Sequence, residues 1–259
     1  MAVTQLLTTL LRTALQVVVL RRDRWRFAGV ILMGATIPMV ELMVAKVFTD
    51  MITSGGSGPD LRAIAPQLLV FVALVLATQG VHYVQRTYRV TVVARVFGPE
   101  AAHGSAQRES WQWARALELI TALTALVQMV VIAALFLLLS PAFGIVNALL
   151  VWVLLEAVGR LFVGQVDAQH QYVEQHRART PVATHVRVRS RVVSAERGAT
   201  IAALGSAALM VCLLLLGLSG ILDAATTIVL FLGLRMQKST FATLSGSVMR
   251  FARAQAQVG

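Results

Sequence analysis

Residues 117–163 read LELITALTALVQMVVIAALFLLLSPAFGIVNALLVWVLLEAVGRLFV. Two apolar runs, Leu117–Leu139 and Ile145–Val163, flank the dipeptide Ser140-Pro141. A helix needs roughly 20 mostly apolar residues to cross the hydrocarbon core of a bilayer. Each run is about that long, and both are unbroken, whereas strands of a membrane barrel alternate over roughly ten residues. Ser-Pro marks a tight turn. The stretch therefore predicts two helices that cross a membrane as a hairpin.

Outward from this hairpin the pattern repeats. Phe27–Met51 is a first span and ends at the polar loop TSGGSGPD (53–60). Ala63–Tyr83 is a second, continuing as an amphipathic helix to Arg95, with a break expected at Gly98-Pro99. Ala199–Leu216 is a fifth, closed by a turn at Leu218-Ser219-Gly220. Ile221–Gly233 is a sixth, continuing toward Arg253. The expectation is an all-α polytopic membrane protein with six transmembrane helices over 27–259, and helical cytoplasmic extensions at 84–116, 164–198 and 234–257. Composition agrees: 57% of the 259 residues are hydrophobic, 14% are charged, and the mean hydropathy is +0.74. A soluble fold of this size buries at most about three quarters of its chain surface, so lipid must solvate the excess.

Segment 1–26 is read separately. Residues 3–20 form an amphipathic helix expected to lie on the cytoplasmic surface. Arg21, Arg22, Arg24 and Arg26 follow this apolar stretch instead of preceding it, the reverse of a cleavable signal peptide.

Charge orients the bundle. Of the 23 Lys and Arg residues, 21 fall before the first span, in the two long connections or at their margin (Arg160), or after the sixth span. Only Lys46 and Arg62 fall on the other side. The positive-inside rule makes the loaded face cytoplasmic and places both termini inside. The net charge of +11 is thereby accounted for by topology and anionic membrane lipid, with no nucleic acid partner expected. The single cysteine, Cys212, sits inside an apolar run and rules out a disulfide framework or a cysteine metal site.

Ionisable and polar groups at membrane depth are the candidate functional residues. Glu41 follows Pro38, which frees a backbone carbonyl. It is read as a polar residue facing a wet cavity, with a cation or proton site and an interhelical salt bridge as alternatives. Gln79, His82 and Gln128 join it as candidate pathway residues, although these three and Asn147 read first as interhelical hydrogen-bond groups. Glu156 and Arg160, four apart in the favourable order, are expected to form a structural ion pair. Asp223 is expected to cap the sixth helix. Trp111 and Trp113 read as interfacial anchors and, with Arg187, Arg189 and Arg191, as candidate cytoplasmic partner contacts. His103, His170, His176 and His185 lack metal-ligand spacing and read as solvated. No catalytic triad, metal site or cofactor site is expected.

Three stretches carry a family resemblance. FAGVILMGATIPMVELMVAKVFTDMITSG (27–55) resembles the first helix of ABC-exporter transmembrane domains, with its mid-helix proline. LFLLLSPAFGIVNALLVWVLL (135–155) resembles that family's "LSPxL" turn between helices three and four. GLSGILDAATTIVLFLGLRMQKSTFATLSGSVMRFARAQAQ (217–257) resembles its last hairpin and trailing helix. The resemblance implies a six-helix exporter-like fold in a prokaryotic cell membrane, working as a homodimer or hetero-oligomer. It implies a permease subunit that translocates an amphipathic lipid, peptide or drug-like substrate. The sequence has no G-x-x-x-x-G-K-[ST] loop, so any ATP hydrolysis is expected from a separate ATP-binding subunit. The connections are shorter than the family's, and nothing at 180–193 resembles its coupling segment. An ATPase-independent scaffold or accessory subunit that keeps the exporter-like fold is therefore the alternative.

Overall fold

A computed structural model describes residues 1–17, 21–54, 61–101, 106–178, 180 and 182–258. Seven helices follow in order: α1 (Ala2–Val17), α2 (Arg21–Ser54), α3 (Leu61–Ala101), α4 (Ala106–Leu139), α5 (Pro141–Arg177), α6 (Thr184–Leu218) and α7 (Ala224–Val258). Five of them contain stretches long and apolar enough to cross a membrane: Arg24–Ile52, Ala65–Val92, Ser110–Leu139, Pro141–Gln175 and Thr184–Leu218. These are the first five spans expected from sequence, and the protein is an all-helical, multi-pass membrane protein. The sixth expected span begins α7, which is not among the five. Its apolar run gives way after Leu234 to RMQKST (235–240).

Local chemistry sets the two tight turns. Pro141 opens α5, where its missing N–H costs nothing. Ser140 N–H still bonds Phe136 O (2.9 Å) and Gly144 N–H bonds Ser140 O (2.8 Å), so hydrogen bonding runs through the corner. A Cβ on Gly144 would lie 2.6 Å from the Leu137 backbone, so only glycine lets the two arms close this tightly. Beyond α6, Gly220 adopts φ 72°. Its N–H bonds Gly217 O and that of Ile221 bonds Leu216 O. This is a Schellman ending, whose left-handed residue favours glycine. Three residues later the Asp223 carboxylate accepts the Thr226 N–H at 2.9 Å and caps α7.

The core forms around α7. It packs on α4, α6, α2 and α5, and Phe241, Leu244, Val248, Met249 and Phe251 are fully buried. Close approach of α6 depends on Gly198, where a Cβ would meet Ser245 Oγ at 2.2 Å. Ser245 Oγ donates to Ala195 O across the same contact (2.9 Å). A buried Gln237 Nε2 donates to Asn147 Oδ1 at 2.9 Å and ties α7 to α5.

At the periphery, α3 packs on α2 and lightly on α4. Only 6% of its apolar stretch is buried, against 44% for α2 and α4. The helix also runs through Gly98-Pro99 to Ala101 instead of breaking there. A proline removes one hydrogen bond, and here only Glu100 and Ala101 follow it in the helix.

The N-terminal helix forms over Ala2–Val17, with 18–20 outside the described residues. Its apolar stripe, Val3, Leu6 and Leu10, is fully buried, and the helix lies on α5. The stripe expected to face the bilayer surface is thus covered by protein. The seat is built at Gly159, where a Cβ would come within 2.8 Å of Val3 N.

Candidate functional site

The polar groups of α2, α3 and α4 meet within the spans. Pro38 has no N–H to offer the carbonyl four residues back, that of Gly34. Gln128 Nε2, from α4, donates to that oxygen at 2.7 Å. Gly34 is also where α3 comes close: a Cβ there would lie 2.5 Å from Gln85 Nε2 and 2.6 Å from Thr124 Cγ2. Proline, glycine and glutamine together hold α2 to its two neighbours, with the freed carbonyl satisfied.

One helical turn beyond Pro38, Glu41 Oε1 lies 3.0 Å from His82 Nε2 of α3. Their side chains keep 39% and 30% of their exposure. Ionisable groups inside an apolar span are costly and mark candidate pathways. The contact is a hydrogen bond between the two side chains that joins α2 to α3. Lys46 turns away from it and pairs with Asp50 at 2.8 Å. Gln79 is exposed on α3, and no hydrogen bond joins its side chain to this cluster.

Two turns further along α3, Arg89 donates to Leu117 O (2.9 Å) and to Thr121 Oγ1 of α4. Glu118 Oε1 lies 2.6 Å from Arg250 Nε and links α4 to α7. Sequence reading used Arg89 and Arg250 only as topology-setting charges. Nothing in their local sequence pattern names a partner 28 or 132 residues away.

Glu156 and Arg160 do pair, at 3.2 Å, with Arg160 largely in the open. The larger role of Glu156 is elsewhere. Its two oxygens accept the N–H groups of Ala2 (3.2 Å) and Val3 (3.0 Å). The carboxylate thus caps α1 from a position more than 150 residues along the chain.

The cytoplasmic candidates divide. Trp111, Arg187 and Arg191 line one cavity, whereas Trp113 packs on the hydrophobic core and Arg189 is exposed away from it. Arg253 stacks over the Trp111 ring, 4.7 Å from its centre. His170 and His185 are exposed, His103 lies outside the described residues, and the His176 side chain is not described. Among the described residues, no three His, Cys, Asp or Glu side chains gather into a metal-sized cluster.

No protein-family model matches this chain, and no curated protein matches it.

Proposed function

We propose that the chain is the membrane-spanning subunit of an ABC-exporter-like permease. In this reading it joins a second copy or a homologous chain, binds a separately encoded ATPase, and moves an amphipathic substrate. One observation carries the reading: the Glu41–His82 pair stays partly open on the flank where α3 is almost uncovered. Lipid is a poor neighbour for an ionisable pair. A second protein surface enclosing a wet pathway along α2 and α3 removes that cost and covers the exposed apolar face of α3.

The reading takes α7 as a sixth span. Its 35 residues extend about 52 Å at 1.5 Å per residue, well beyond the roughly 30 Å hydrocarbon core. Its neighbours supply the apolar surroundings that its own sequence lacks. An even number of spans then returns the C-terminus to the arginine-rich cytoplasmic side.

A second reading, an ATPase-independent scaffold or accessory subunit, has its own support. Between Arg177 and Thr184 the described residues form no separate helix, so this connection offers no distinct element to receive a motor. Purification of the tagged protein from its own membranes in mild detergent, with mass spectrometry of what remains bound, separates the two. A stoichiometric nucleotide-binding subunit with Mg-ATP hydrolysis in the complex supports the permease. A complex with other membrane proteins and no ATPase overturns it in favour of the scaffold.

A further inference from the structure

The cavity at the cytoplasmic end holds about 360 Å³, within the usual range of small-molecule sites. Four helices build it. Trp111 comes from the start of α4, Gln169 and Tyr172 from the end of α5, Arg187 and Arg191 from the start of α6, and Arg253 from the end of α7. Its inner wall is Gln169, which is buried, and its mouth is framed by exposed Thr184 and Gln257.

The charge arrangement is the unusual part. Arg187 and Arg191 are four apart and present to one face of α6, toward Arg253. Among the described residues, no aspartate or glutamate lines the cavity and no ion pair joins these three arginines to a carboxylate. Arg187 spends one nitrogen on Thr184 Oγ1 (3.2 Å), while its Nε is buried with no protein partner. Arg253 is held below the ordinary arginine range, first by burial and then by the positive charges of Arg191 and Arg187. Three guanidinium groups thus face one space and repel one another.

We infer that this cavity binds a phosphate group, gripped by Arg187, Arg191 and Arg253 and flanked by Trp111 and Tyr172. Guanidinium forks match phosphate oxygens in pairs and keep their charge when desolvated. The two aromatic side chains and the volume leave room for a small organic group attached to the phosphate. The phosphate comes either from an anionic lipid headgroup at the inner leaflet or from a soluble phosphate ester. The inference holds for a permease and for a scaffold alike.

The test uses the full chain in nanodiscs. One arm places phosphatidic acid in a phosphatidylcholine disc, and the other adds glycerol 3-phosphate to a pure phosphatidylcholine disc. Binding is read as a rise in melting temperature and as ligand retained in native mass spectrometry. Lipid retention alone assigns the headgroup, and retention of the soluble ester assigns a metabolite. Arg253→Gln and the double variant Arg187→Gln/Arg191→Gln are expected to weaken binding at least tenfold. Arg189→Gln, on the same helix but outside the cavity, is expected to leave it unchanged. Melting of each variant without ligand checks its fold, and Arg253→Lys serves where Arg253→Gln does not fold. Equal loss in Arg189→Gln, or no retention of either probe, overturns the assignment.

Discussion

The third and seventh helices are built from opposite solutions to the same problem. Both exceed 30 residues. The third carries an apolar stretch of which only 6% is buried, while the seventh mixes Arg235, Gln237, Lys238 and Ser245 into its length and sits at the centre. Hydropathy marks what lipid accepts, and burial by protein marks what neighbouring side chains accept. In α7 the second condition replaces the first: Gln237 Nε2 donates to Asn147 Oδ1 and Ser245 Oγ to Ala195 O.

The largest break in that contrast is expected from emptying the α7 core. Phe241→Ala leaves a cavity beneath a fully buried ring and should cost about 3–5 kcal/mol, read as a lower midpoint in denaturant titration of the purified protein. Next comes overpacking at the α6–α7 contact. Gly198→Val collides with Ser245 and should cost roughly 1–3 kcal/mol, visible as earlier thermal loss of the monodisperse peak. A smaller effect is expected at the polar clasp. Gln237→Leu strands Asn147 for about 1 kcal/mol, the scale measured for hydrogen bonds inside membrane bundles. Adding Asn147→Leu should recover part of it, and a double-mutant cycle with no coupling would show that the two side chains do not cooperate. The smallest effect belongs to α3. Leu69→Ala and Leu76→Ala remove exposed side chains and should change the stability of the isolated protomer by under about 0.5 kcal/mol. If instead they weaken association between copies in a dilution series, the bare face is a subunit contact.

Much of this architecture was legible in order but not in pairing. Unbroken apolar runs gave five spans and both tight turns, because lipid imposes a length requirement that composition alone reveals. Pro38 announced a free carbonyl, and Gln128 announced a polar group at membrane depth. Their meeting at Gly34 required the crossing of α2 and α4. Glu41 and His82 were each conspicuous, yet they lie 41 residues apart and no periodicity joins them. The amphipathic character of residues 3–20 was plain in the sequence. That character is the same whether lipid or another helix covers the apolar side, so α5 as its cover was invisible. Arg253 looked like one more topology charge, and only the convergence of four helix ends sets it over Trp111.

The grip of Glu156 on Ala2 and Val3 carries a consequence for biosynthesis. The first helix leaves the ribosome well before its seat exists, since the carboxylate that holds it is encoded 153 residues after Val3. At roughly 5–20 residues per second, α1 waits on the order of 10–30 s beside the insertion machinery before α5 arrives. A segment made before α5 is therefore secured only after it, and its docking is a late checkpoint on whether the central hairpin has been inserted the right way round.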